Sequence, residues 1–264
     1  MLGVVDLRRL TATGRVDHQT IAQAVATALP PLRIGRIGPA RVGLVADRAA
    51  VVAAVSALSP SGGVVSVSEQ PAWSVIPAPV IAQRLHNDCE AAALQVLLAT
   101  RGVRVDQLDL QRAFPRSGPL DPTGNGPTRT WGDPDQGFVG RPDGGGVAGG
   151  FGVYPGPLSR TAARYGVILD DVSASSVEVI RGRLLAGQAV MAWVGLSTGP
   201  DASWQSPAGR PITVNFGEHT VVLAGVLPDG RFIVINPLDG TRELWTEARF
   251  QTQWKLLGRR ALAA

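Results

Sequence analysis

Residues 83–100, Gln83-Arg-Leu-His-Asn-Asp-Cys89-Glu-Ala-Ala-Ala-Leu-Gln-Val-Leu-Leu-Ala-Thr100, decide how the rest of the chain is read. From Cys89 on, strong helix formers run without glycine or proline until Gly102 supplies a stop. Ala93, Leu94, Leu97 and Leu98 share one face, the spacing of a helix packed on a core. Cys89 therefore opens a helix, where unpaired backbone N–H groups and the helix dipole favour a thiolate. It is the only cysteine in the sequence, which rules out an intrachain disulfide and a thiolate metal cluster.

Working outward, residues 105–114 read as a shorter amphipathic helix, and 115–157 as a long stretch dense in Gly, Pro and Asp. Loops of that length are usually functional or disordered. Trp131, Phe138, Phe151 and Tyr154 within it predict an ordered loop packed on the body. A helix is expected at 157–165. Ser175-x-x-Glu178 reads as a capping box opening another helix, which runs to Leu185 and is closed by Gly187. Strands follow at 189–194, 219–226, 232–236 and 242–245, with Asp229-Gly230 as the turn between the second and third. A helix at 246–254 and a strand near 259–263 end the chain. Helices first and antiparallel strands second make an α+β domain over 76–264.

Residues 1–75 have a different character. Helices at 21–29 and 47–58 and strands at 42–46 and 64–67 form a β-α-β-like unit that carries only His18 among candidate reactive side chains. It reads as a small α/β subdomain for packing or interaction.

The scarce residues gather into one chemistry. His219 begins a strand and Asn236 ends its hairpin partner, so the Asn236 amide comes within reach of the His219 ring. Gln83 lies in the loop leading to Cys89. These types suffice for thiol catalysis. Cys89 attacks a carbonyl, and His219 pairs with the thiolate and then protonates the leaving amine. Asn236 fixes the imidazole tautomer, while Gln83 and the Cys89 backbone N–H donate to the oxyanion. Asp239 is an alternative orienting group. His86 is a competing base, though a cleft wall is the better use of a residue in the same tight loop as Cys89.

Gln, Cys, His and Asn in that order resemble the papain clan of cysteine peptidases. The closer resemblance is to the Peptidase_C39-like family, relatives of the enzymes that remove double-glycine leaders from bacteriocins. It rests on Gln83-x5-Cys89-Glu90, Gly132-Asp-Pro-Asp-Gln-Gly-Phe-Val-Gly140 and Gly150-Phe-Gly-Val-Tyr154. Glu218-His219-Thr-Val-Val-Leu-Ala-Gly225, Asn236-Pro237-Leu-Asp-Gly240 and Phe250-x3-Trp254-x3-Gly258 complete it. The resemblance implies a papain-like fold over about 77–264, a peptide or protein substrate and no cofactor. The family often carries Asp before Pro where this chain has Asn236, so imidazolium is stabilised here by a neutral amide. The bacteriocin enzymes are fused to a transporter that is absent from this sequence, so the peptidase fold is implied more firmly than the double-glycine substrate. Acyl or amide transfer on the same residues, or a non-catalytic peptide-binding module, are the alternatives.

Composition narrows the remaining classes. Hydrophobic residues at 45% can bury a core, and a net charge of +4 is too small to make a nucleic-acid surface. Trp193, Trp204, Trp245 and Trp254 have no basic stripe beside them, so a base-stacking platform is not expected. Lys255, the single lysine, lies in Gln-Trp-Lys-Leu and cannot serve a phosphate loop. Gly144-x-Gly146-x-x-Gly149 neither follows a clear strand nor opens a helix, which excludes a dinucleotide fingerprint. Three histidines and no CxxC or HExxH leave no expected metal site, and Asp133, Asp135 and Asp143 read as turn formers, not calcium ligands. No apolar run is long enough to span a bilayer. The first twenty residues lack the pattern of a secretory signal, which predicts a cytoplasmic start, whereas the family resemblance implies that export is common. The pattern sets no oligomeric state.

Overall fold

A computed structural model describes residues 2–6, 33–38, 41–45, 67–70, 73–144, 149–197 and 201–264. The chain gathers into two compact units, Met1–Ser74 with Ser176–Gly187, and Val75–Ser175 with Gln188–Ala264. In the first, β1 (Leu2–Asp6), β2 (Arg33–Gly38), β3 (Arg41–Val45) and β4 (Val67–Gln70) form a sheet in the order β2-β3-β1-β4. β3 and β4 both run antiparallel to β1, so they are parallel to each other with β1 between them. The two strands expected of the β-α-β-like unit are therefore not neighbours in the sheet. The second of them begins at Val67, where the expected strand ends, and β1 and β2 were not foreseen. The expected helices at 21–29 and 47–58 lie outside the described residues. A helix at Val177–Leu185, α4 in chain order, belongs to this unit.

The second unit is built on a seven-stranded sheet. Its main path is β14 (Thr241–Trp245), β13 (Phe232–Asn236), β12 (Glu218–Val226), β9 (Val190–Gly195), β15 (Ala261–Ala263) and β8 (Asp170–Asp171), while β5 (Ser74–Val75) joins β12 from the side. The strands with continuous apolar runs take the centre, where both faces are covered. Every residue of β9 and β13 is buried, as is all of β12 after Glu218. The amphipathic β14 lies at the edge, with alternating exposure.

Helix α1 (Cys89–Thr100) packs on β12 and β9 and buries almost every side chain. Its N-cap, Asp88, makes no capping bond to the helix and instead accepts the Leu85 N–H at 3.0 Å, which tightens the turn before Cys89. Helix α2 (Gln107–Ala113) follows against α1, and its Gln107 Nε2 donates to Ala82 O at 2.9 Å. Helix α3 (Pro155–Arg164) comes next, with prolines at its start where no intrahelical N–H is needed. Helix α5 (Glu247–Leu256) stacks Phe250 on its own Trp254 at 5.1 Å, sets Phe250 edge-on to Phe232 and packs on β9.

The α+β fold expected from the sequence is the one observed. The capping box is not. Ser176, not Ser175, caps α4 and makes no side-chain capping bond, while Ser175 Oγ donates to Val172 O at 2.6 Å. The long loop is ordered, as its aromatics foretold, although 145–148 lie outside the described residues. It contains a short ladder, β6 (Val139–Gly140) with β7 (Gly150–Gly152), and docks on an unforeseen hairpin, β10 (Asp201–Gln205) with β11 (Pro211–Asn215). Trp204 of that hairpin donates to Gly132 O at 2.6 Å and meets Trp131 edge-on at 5.4 Å. Asp133 and Asp135 both pair with Arg210, and Asp133 Oδ1 also accepts the Asp135 N–H at 2.9 Å. They form a turn, as expected, and also clasp the loop to the hairpin.

Candidate active site

A cavity of about 270 Å³ opens where the start of α1, the start of β12 and the β7 end of the long loop converge. Cys89, His219, Gln83 and His86 all line it, with Phe151 and Phe216 as apolar wall. Three of the four residues singled out in the sequence, Cys89, His219 and Gln83, therefore share one cavity, and the fourth, Asn236, binds His219.

The histidine side is fully connected. His219, 2% exposed, contacts Asn236 Oδ1 through Nε2 at 2.8 Å. The Asn236 amide is orientated by two further bonds, since Oδ1 accepts the Leu238 N–H at 3.1 Å and Nδ2 donates to Glu243 Oε1 at 2.7 Å. An oxygen therefore faces the ring, Nε2 carries the hydrogen, and Nδ1 is left as the basic nitrogen. Burial lowers the His219 pKa, while Asn236, Asp239 and Glu243 oppose that shift. Asp239 acts only through its charge; its own carboxylate accepts the Thr241 hydroxyl at 2.7 Å. Glu243 was not singled out in the sequence. Burial raises its pKa, but bonds from Asn236 and Trp245 and the nearby Arg249 outweigh this and keep it low. Two-residue alternation of Thr241, Glu243 and Trp245 along β14 was the available signal.

The sulfur side differs. Cys89 is 5% exposed, and its Sγ donates to Glu90 Oε2 at 3.3 Å. No hydrogen bond joins Cys89 to His219 among the described residues. Burial raises the thiol pKa well above its ordinary value, and the charges of Glu90 and Glu218 add to the rise. Gln83 also departs from expectation in detail. Its backbone N–H holds Pro237 O at 2.7 Å, and its amide nitrogen donates to Leu85 O and His86 O at 3.0 and 2.9 Å. Both amide hydrogens are thus engaged in the loop, while Oε1 is buried without a partner. Donation to an oxyanion requires that one of these bonds be exchanged.

The α+β fold is papain-like, with Cys89 and His219 at one cavity and Asn236 bonded to His219. Residues 75–262 match the model of the Peptidase_C39 like family, and the chain belongs to that family. The fold is similar to the crystal structure of a Bacillus anthracis protein assigned to the C39-like peptidases. That likeness has a TM-score of 0.61 and 24% identity over 72% of this chain and 96% of that one. No functionally curated protein matches the chain in sequence. Among the described residues, no helix is long and apolar enough to cross a membrane.

Proposed function

We propose that residues 76–264 form a thiol hydrolase domain that cleaves a peptide or related amide bond through an acyl-enzyme, with residues 1–75 as an accessory α/β subdomain. The observation that carries this reading is the His219–Asn236 bond of 2.8 Å at a cavity that Cys89 also lines. In the reaction, His219 Nδ1 takes the Cys89 thiol proton as the sulfur attacks the carbonyl carbon. Asn236 Oδ1 holds the Nε2–H and so keeps Nδ1 directed at the reaction. The Cys89 backbone N–H, unpaired within the helix because it belongs to the first turn, and the Gln83 amide donate to the oxyanion. The imidazolium returns its proton to the leaving amine, which departs and leaves a thioester. Water then loses a proton to His219, attacks the thioester and releases the acid and the free thiol.

Phe151, Phe216, Leu196 and Leu238 give the cavity an apolar wall suited to a peptide side chain. An amine entering in place of water would make the same residues a transferase. The raised thiol pKa favours a second reading, a peptide-binding module that keeps the fold without turnover. Alkylation of Cys89 by iodoacetamide, followed against pH by intact mass, separates turnover from binding. The hydrolase reading expects labelling that depends on His219 and is altered in His219→Ala. A profile identical in wild type and His219→Ala, with no cleavage of a peptide library, would sink it.

A further inference from the structure

A second group of titratable side chains meets at the sulfur, and the mechanism above makes no use of it. Ligand atoms of Cys89, Glu90 and Glu218 all lie within 4.8 Å of one another. Glu90 is clamped between two donors, since Oε1 accepts the Val153 N–H at 2.6 Å and Oε2 accepts the Cys89 thiol at 3.3 Å. Gly152, at φ 125°, makes room for this carboxyl, because a Cβ there would run into Glu90 Oε1. Glu218 Oε1 is buried without a hydrogen-bond partner. Two carboxyls so close in apolar surroundings do not both ionise, and they hold one proton between them. Burial raises Glu90 to about 7 and Glu218 well above the ordinary glutamate value. The other charged and titratable groups facing the cluster are Asp88 beside Glu90, Arg260 and Tyr154 beside Glu218, and His219 across the cavity.

We propose that Glu90 is the positioning residue of the nucleophile: its carboxylate holds the Cys89 thiol proton in the resting cavity, and neutralising that carboxylate frees the sulfur to ionise toward His219. The consequence for turnover rests on the thiol-hydrolase reading, whereas the geometry does not. A carboxylate beside the sulfur opposes a second negative charge there, and a neutral N–H or O–H in the same place stabilises it. Glu218 tunes the balance by competing for the proton the pair shares.

The test is the pH profile of iodoacetamide labelling in the full chain, compared for wild type, Glu90→Gln, Glu218→Gln and His219→Ala. Glutamine at 90 keeps an acceptor for the Val153 N–H and replaces the anion at the sulfur with a donor. Glu90→Gln is expected to move the labelling midpoint down by about one pH unit, or about tenfold faster labelling at neutral pH. Glu218→Gln is expected to move it the same way by less. A purely structural Glu90 leaves the midpoint where it was, and that result overturns the proposal. If Glu90→Gln does not fold, Glu218→Gln decides alone, and an unchanged or higher midpoint overturns it. A shift in Glu90→Gln with none in His219→Ala, and no cleavage of a peptide library, keeps this inference and removes the hydrolase reading. The reverse pattern keeps the hydrolase reading and removes this inference.

Discussion

The two walls of the cavity are built on opposite principles. On the strand side, His219, Asn236 and Glu243 form a chain in which each donor meets an acceptor, at 2.8 and 2.7 Å. On the helix side, Cys89, Glu90 and Glu218 crowd like-charged groups together and leave a carboxyl oxygen unpaired. A satisfied network fixes one geometry, whereas a crowded one stores a choice of protonation state. The proposed base, His219, is therefore held in one orientation, while the proposed nucleophile, Cys89, has its proton held by Glu90. Catalysis of the proposed kind needs both walls, but they fail differently when altered.

The largest effect expected is on the strand wall. His219→Ala removes the base and should lower peptide hydrolysis by about two to four decades, measured as kcat/KM on a cleavable library peptide. Activity within a few-fold of wild type would place the base elsewhere, with His86 the first residue to examine. Next comes Gly152→Ala on the helix wall. The added Cβ meets the Glu90 carboxyl and must also accept φ 125°, a backbone state costing about 1–3 kcal/mol for a residue other than glycine. A melting temperature lower by several degrees is expected, and an unchanged one would mean that both the Glu90 carboxyl and the backbone at 152 adjust freely.

The contrast between the walls also explains what could be read in the chain beforehand. Periodicity and apolar runs determine β9, β12, β13 and α1, because those segments are covered on both sides and carry little else. The candidate residues were legible because their types are scarce: a single cysteine, and His219 and Asn236 at hairpin ends that one turn brings together. The β10–β11 hairpin was not legible. Its strands alternate too briefly, and its stability comes from Trp204 and Arg210 contacting Gly132, Asp133 and Asp135, more than sixty residues away in sequence. Glu90 and Glu218 stood in plain view beside Cys89 and His219, yet their meeting depends on how α1 packs on β12. No spacing rule contains that. Ser175-x-x-Glu178 misled for a related reason, since the Ser175 hydroxyl donates to Val172 O instead of accepting an N–H of the helix it precedes.

A smaller effect sharpens the helix wall through stability. Glu90 is raised from 4.5 to about 7, so the folded chain binds its proton more tightly than the unfolded chain does. The stability this proton contributes is full below about pH 4.5 and is lost as pH rises through about 7. Wild type should melt at a lower temperature at pH 8 than at pH 5 by more than Glu90→Gln does. Parallel curves for the two proteins would show that Glu90 is not protonated in the fold.

The smallest effect returns to the strand wall. In Glu243→Gln, two donors, Asn236 Nδ2 at 2.7 Å and Trp245 Nε1 at 2.8 Å, converge on a side chain that now has one acceptor oxygen. One bond is lost, about 0.5–1.5 kcal/mol. The negative charge that opposes the lowering of the His219 pKa is lost with it. The His219 titration, followed by its ring proton resonance, should therefore shift to lower pH, and kcat should fall by less than about tenfold while KM is unchanged. A drop as large as that of His219→Ala would mean that Glu243 holds the whole strand wall together. No shift at all would mean that Asn236 orients the ring unaided, and the chain of bonds on this wall would then end at the amide.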